Sequence, residues 1–181
     1  MSDSRTPRLT AMGSIKRLVI ASMLVAMSVV LGIICKNFMN FAGGLFRITF
    51  ENLPILLAGI FLGPIVGGVV GVASDLVSYF MSPQIYPPNL WVTAGAFCIG
   101  VISGIVARYL IKKHGTKQII LCGVSAHLLG SMIIKTIGLY SFYGIAVLVR
   151  IPLYLVISSL EITLICILWR QASFRRLFEK L

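Results

Sequence analysis

Long apolar blocks alternate with short polar or glycine- and proline-containing breaks along this chain. The first block runs from about Leu18 to Ile34, followed by a connection rich in Asn, Phe and Gly, Lys36 to Phe46. The second begins near Arg47 and ends at the Gly63-Pro64 turn, and the third covers Pro64 to Phe80. A proline-rich connection, Ser82 to Asn89, leads to the fourth, Leu90 to about Leu110. The basic turn Lys112 to Lys117 opens the fifth, which ends near Gly138, and a connection around Tyr140 to Gly144 opens the sixth, Val147 to Trp169. A helix needs about 20 apolar residues to cross a hydrocarbon core of roughly 30 Å. The pattern therefore predicts an all-α fold, a six-helix transmembrane bundle. Residues 1–14 are expected to be a loose N-terminal segment, 15–171 the membrane domain, and 172–181 a basic C-terminal tail. No duplicated half is visible, so the inverted repeat of many secondary transporters is not expected.

Composition strengthens this reading. The chain is 58% hydrophobic and 12% charged, with a mean hydropathy of +0.99 over 181 residues. Six spans use nearly all of it, which leaves no room for a soluble catalytic or nucleotide-binding domain. No GxSxG, HExxH or P-loop pattern occurs, so neither an enzyme nor a self-powered pump is expected. The first apolar block is too long for a cleavable signal peptide. Cys35, Cys98, Cys122 and Cys166 are far apart, with no CxxC or CxxH spacing, so no metal site, cofactor or disulfide framework is expected.

The net charge of +11 changes the picture through its distribution. Twelve of the 16 basic residues fall in three groups at span ends: Arg5, Arg8, Lys16 and Arg17; Arg108, Lys112, Lys113 and Lys117; Arg170, Arg175, Arg176 and Lys180. Six spans put all three groups on one side, and short loops rich in Lys and Arg stay in the cytoplasm. Both termini are thus expected to be cytoplasmic. Charges at span ends argue for a lipid bilayer as partner and against nucleic acid.

The other ionisable residues carry the candidate chemistry. Lys36 is expected in an outer loop, Arg47 and Arg150 at the outer starts of the second and sixth spans, and Lys135 in the outer third of the fifth. Glu51, Asp75 and Glu161 also fall in spans. An ionised group at mid-membrane costs roughly 2.5–3.5 kcal/mol on insertion scales, and such groups pair, face a cavity or carry function. Arg150, Tyr154, Ser158 and Glu161 are spaced to form one helical stripe, and His127, Ser131 and Lys135 another. Asp75 continues the line of Gly67 and Gly71, with Tyr79 beyond it. These stripes predict a polar cavity open toward the outside. Four cations against three acids there favour an anionic ligand, although pairs such as Glu51 with Arg47 or Asp75 with Lys135 are the simpler structural alternative. Lone His127 is read as a packing or hydrogen-bonding residue. Tyr86, Trp91, Tyr140 and Tyr143 form either an interfacial aromatic belt or a stacking surface for a flat heterocycle, where Asn37, Asn89 and Thr93 can hydrogen-bond.

Small residues recur at four-residue spacing: Gly63, Gly67 and Gly71; Ala96, Gly100 and Gly104; Ser22 and Ala26. This spacing lets helices approach closely in lipid, either within the bundle or against another membrane subunit.

The stretch FRITFENLPILLAGIFLGPIVGGVVGVASDL, Phe46 to Leu76, resembles the second and third spans of energy-coupling factor (ECF) transporter S components, closest to their folate family. HLLGSMIIKTIGLY, His127 to Tyr140, and RIPLYLVISSLE, Arg150 to Glu161, resemble that family's fifth and sixth spans. The resemblance covers about Lys16 to Trp169. It implies six helices with cytoplasmic termini, a vitamin site near the outer face capped by the loop after the first span, and a partner module of one transmembrane coupling protein and two ATPases. ATP hydrolysis in that module is thought to topple the S component, which carries the vitamin inward. It also implies that an Ala-xxx-Ala motif in the first span docks on the coupling protein. Here the match is Ser22 and Ala26, with Ser at the first position. Folate, with an anionic glutamate tail and a flat pterin, fits the candidate residues Lys36, Asn37, Arg47, Glu51, Asp75, Asn89, Trp91, Thr93, Lys135, Tyr140, Arg150 and Tyr154. An S component for riboflavin or pantothenate, or a self-sufficient small secondary transporter, is the alternative.

Overall fold

A computed structural model describes residues 6–41, 46–81, 89–110 and 115–171. The segments 1–5 and 172–181, with Arg5, Arg175, Arg176 and Lys180, lie outside the described residues, as do Tyr86, Lys112 and Lys113. Helix α1 covers Thr6–Phe38 and so begins inside the segment expected to be loose. Strands β1 (Asn40–Phe41) and β2 (Phe46–Arg47) form a two-residue antiparallel ladder that pairs Asn40 with Arg47 and Phe41 with Phe46. Helices α2 (Asn52–Leu62), α3 (Pro64–Phe80) and α4 (Leu90–Ile105) follow, and α4 continues as a π-helix, Val106–Leu110. The fifth span is one helical rod built from α5 (Thr116–Ala126), a π-helix (His127–Lys135) and α6 (Thr136–Tyr143). A 3-10 turn, Gly144–Val149, leads into α7, Arg150–Arg170. The fold is all-helical apart from the short ladder. Among the described residues there are six helical spans, of which four are long and apolar enough to cross a membrane: Ile15–Phe38, Leu90–Tyr109, Thr116–Ser141 and Gly144–Arg170.

The second span departs most from expectation. Its helix begins at Asn52 rather than near Arg47, and its 11 residues reach only about 16 Å, half of a roughly 30 Å hydrocarbon core. Every residue of α2 but Phe61 is buried. A helix that is apolar on all sides belongs at the centre of a bundle, and α2 touches α1, α3, α4, α5 and α7. Its N-terminus, Glu51-Asn52, therefore ends inside the protein. This half-length central helix is what carries an acid into the interior.

Glycines make the close packing around α2 possible. Gly63 takes φ 101°, which a side chain would resist, and turns the chain so that Pro64 starts α3 at a position where its missing N–H is harmless. A Cβ on Gly100 would collide with the backbone of Gly67 and Gly68, and one on Gly67 with the backbone of Gly59 and Gly100. The glycine stripes of the third and fourth spans are thus packing seams within the bundle. The stripe of the first span is different: Ser22 and Ala26 face outward on α1, and the Ser22 hydroxyl donates to its own helix at Leu18 O, 2.9 Å.

The two ends of the bundle are chemically distinct. Phe61 stacks on Trp169 with ring centroids 5.2 Å apart, and Gln118 Nε2 donates to Ala107 O at 2.7 Å. These contacts gather the Arg108, Lys117 and Arg170 ends together. The opposite end is tied by Asn89, which caps α4 by accepting from Trp91 N at 3.0 Å and donates Nδ2 to Gly138 O at 2.7 Å.

Candidate functional site

Three acid- and lysine-bearing elements converge above the N-terminus of α2. Glu51 precedes α2, Asp75 comes from α3, and Lys135 ends the π-helix of the fifth span. Lys135 is only 6% exposed. Its stem crosses Gly95 of α4, where a Cβ would strike Lys135 Cγ, and its Nζ lies 2.9 Å from Asn52 Oδ1 and 3.8 Å from Glu51 Oε1. Thr93 donates to Asp75 Oδ2 at 2.6 Å. Asp75 stands within electrostatic reach of Lys135, Glu51 and Lys36. Ser28 of α1 donates to Glu51 O at 2.6 Å. Gly32 on the same helix leaves space for the carboxylate: a Cβ there would come within 3.1 Å of Glu51 Oε2.

These groups surround one small hollow, lined by Ser28, Glu51, Ile55, Ser74, Asp75, Ser78, Ala96 and Lys135. About 10 Å³ is open to the centre of a water-sized sphere, room for roughly one water. The stripes anticipate these side chains on facing sides of the helices, and among the described residues the hollow between them is small. Polar groups reach across the space and close it: Lys135 to Asn52 and Glu51, Thr93 to Asp75, and Lys36 to Ser78. In hydrocarbon an unpaired donor or acceptor is costly, so side chains fold onto one another. Ser74 is the exception, since its buried Oγ has no hydrogen-bond partner and lines the hollow.

The remaining candidates fall around this centre at different distances. Lys36 was expected in a loop. It lies instead in the last turn of α1, with Nζ 3.0 Å from Ser78 O and 2.9 Å from Ser78 Oγ. Asn37 beside it is exposed. Arg47 belongs to β2, and its side chain lies outside the described residues. Trp91 and Tyr140 are both 55% exposed and line no part of the hollow, while Asn89 uses both ends of its amide in holding α4 to α6. The connection expected at Tyr140 to Gly144 is helical as far as Tyr143. Of the simple pairings expected from sequence, Asp75 with Lys135 does not form as stated, because Lys135 faces Glu51 and Asp75 takes the Thr93 hydroxyl, while Glu51 with Arg47 falls on a side chain outside the described residues.

The sixth-span stripe forms as expected: Arg150, Tyr154, Ser158 and Glu161 are all buried on α7. The Arg150 guanidinium lies 5.5 Å from the centroid of the Tyr154 ring, and its buried Nε meets no acceptor. Arg150 does not line the hollow and forms a second cationic group near the start of α7. Deeper, His127 Nε2 approaches Glu161 Oε2 at 2.8 Å, and Nδ1 pairs with Ser131 Oγ at 3.1 Å.

Sequence reading missed Ser28, Asn52, Ser74 and Ser78. A signal existed in the third span, where Ser74, Asp75 and Ser78 place polar atoms at helical spacing in an apolar run. Ser28 reads as just another small residue.

A profile of the family described as "ECF transporter, substrate-specific component" matches residues 16–178. The chain belongs to this family. As an S component it is a membrane protein of a transport system, in agreement with the resemblance carried by the Phe46 to Leu76 stretch. It is similar to "Folate transporter FolT" of Clostridium novyi (strain NT), 29% identical over 123 residues that cover 67% of this chain and 69% of that relative. It is also similar to "Uncharacterized protein MG098 homolog" of Mycoplasma pneumoniae, 28% identical over 104 residues, 58% of this chain and 21% of that longer protein. Among solved structures, the S component shares its fold with FolT bound with folic acid, at TM-score 0.61 and 23% identity over 83% of this chain and 87% of that one. It shares it equally with the S component of a bacterial ECF transporter, at TM-score 0.61 and 23% identity over 87% and 95%.

Proposed function

We propose that this S component captures folate at the outer face of the plasma membrane and delivers it through an ECF coupling protein driven by two ATPases. The observation that carries the reading is the meeting of Glu51, Asp75 and Lys135 around one hollow at the end of a half-length central helix. Two carboxylates accept hydrogen bonds from the amino and ring N–H groups of a pterin. Lys135, Thr93 and Ser74 donate to its ring nitrogens and carbonyl. Lys36, Arg47 and Arg150 supply positive charge for the glutamate tail, and Trp91 and Tyr140 add apolar surface where the ligand arrives. Similarity to a folate transporter supports the choice of ligand. A folate-sized ligand needs several hundred Å³, so binding separates the pairs that close the hollow, and the ligand takes over their hydrogen bonds. The basic ends of the spans support cytoplasmic termini.

The test is equilibrium binding by detergent-purified protein against folate, riboflavin and pantothenate. Folate is expected to bind at micromolar concentration or better and at least about tenfold more tightly than the others, a difference of one well-made buried hydrogen bond to a charged group. Riboflavin lacks the anionic tail, and pantothenate lacks the flat ring. A rival that binds more tightly, or no binding at all, overturns the reading.

Docking on the coupling protein is assigned to the outward face of α1 at Ser22 and Ala26, where small side chains admit another helix. Ser22→Leu combined with Ala26→Leu is expected to lower ATP-dependent folate uptake by about tenfold or more while folate affinity stays within about twofold, since neither residue approaches the hollow. Unchanged uptake would remove this face from the docking surface.

A further inference from the structure

We infer that Glu161 and His127 are positioning residues for Lys135, a clamp that sets the ligand-facing ammonium from deep in the membrane; this rests on the capture reading above. Glu161 is fully buried and His127 is 2% exposed. Neither touches the hollow, and the capture chemistry uses neither. An acid and an imidazole at this depth are costly to keep, which calls for a task.

The geometry supplies one. His127 is the first residue of the π-helix and Lys135 the last. Glu161 Oε2 holds His127 Nε2 at 2.8 Å, which fixes the start of this segment to α7. On the other side of the ring, His127 Nδ1 meets Ser131 Oγ at 3.1 Å, one step along the same face toward Lys135. Gly130 packs against Gly95 and Ile99 of α4, so the middle of the segment is held from the opposite side. A π-helix, with its i→i+5 bonds, is rare and is often found at functional positions. Here its three polar residues at four-residue spacing all stay buried on one side. Return to α-helical winding would rotate Lys135 relative to His127 and pull its ammonium from Asn52 Oδ1 and Glu51 Oε1. The Glu161–His127 contact opposes that rotation. The contact is a close approach rather than an aligned hydrogen bond, since His127 Nε2 and both Glu161 carboxylate oxygens are buried without a hydrogen-bond partner, so the carboxylate acts on the imidazole by proximity and charge.

A positioning role differs from plain structural support in being conditional on Lys135. Glu161→Ala and Glu161→Gln are made in the natural chain and in a Lys135→Met background, and folate affinity is read by quenching of tryptophan fluorescence. Glu161→Ala is expected to weaken folate binding by about tenfold in the natural chain and by less than about twofold in the Lys135→Met background, a non-additivity typical of residues in one network. Glu161→Gln keeps an oxygen beside the imidazole without the charge and is expected to restore part of the affinity. Equal losses in both backgrounds, or no loss in the natural chain, overturn the clamp. If Glu161→Ala is not recovered as monodisperse protein, His127→Ala cuts the same link and goes through the same cycle. Absence of folate binding by the natural chain is seen before any variant and overturns the ligand reading. The clamp is then decided by the same cycle on melting temperature, where coupling between positions 161 and 135 supports it and additivity overturns it.

Discussion

Lys135→Met is expected to weaken folate binding by about a hundredfold, the scale of removing one partner from a buried charged network. The stem of Lys135 lies on Gly95, and a methionine of similar length fits the same path, so the change removes charge and little volume. It removes the cation 3.8 Å from Glu51 Oε1 and the ammonium that donates to Asn52 Oδ1. Leaving one member of such a pair behind costs about 3–5 kcal/mol in soluble proteins. The variant should therefore also melt at a lower temperature. Titration by tryptophan fluorescence, with a melting curve on the same sample, separates the two effects. Unchanged affinity at reduced stability would make Lys135 a structural partner of Glu51 and nothing more.

Gly100→Val is expected to destabilise the bundle by at least about 3 kcal/mol, the range of severe overpacking. The new side chain would meet backbone atoms of Gly67 and Gly68 rather than a movable side-chain tip. The seam it breaks holds α3 and α4 around α2, so damage there moves Glu51 and Asp75 together. Gly115→Ala is the control. Gly115 has extended backbone with φ −171° and nothing within 4 Å of an added Cβ. It should behave like the natural chain. The yield of monodisperse protein and its melting temperature in detergent report both. A Gly100→Val protein that melts with the natural chain would mean that the seam does not hold the fold.

The helical periodicity of the chain made much of this architecture legible. Residues 150, 154, 158 and 161 recur on one face and are all buried, and 127, 131 and 135 behave in the same way. Periodicity assigns a residue to a face but does not name its partner. Lys135 was within reach of several acids, and the choice of Glu51 over Asp75 depends on where α2 begins. The signal for that start is Pro54 in the first turn of α2, where a missing N–H is harmless, and it is easily passed over because Phe46, Ile48 and Phe50 continue the apolar pattern upstream. Lys36 was misplaced for the opposite reason: charge suggested a loop, whereas its long side chain stays in the helix and reaches Ser78. Size was the least legible property. Whether convergent polar groups leave an open chamber or close on one another depends on side-chain reach in three dimensions, and among the described residues Lys36, Thr93 and Lys135 each bond across to a neighbouring element beside a hollow the size of a water.

The most direct measurement is a structure of the protein with folate bound. The pterin is expected within hydrogen-bonding distance of Glu51, Asp75 and Lys135, with the Lys36–Ser78 and Thr93–Asp75 contacts opened to admit it. Folate seated elsewhere on the bundle, with those contacts intact and the hollow still the size of a water, would contradict the account.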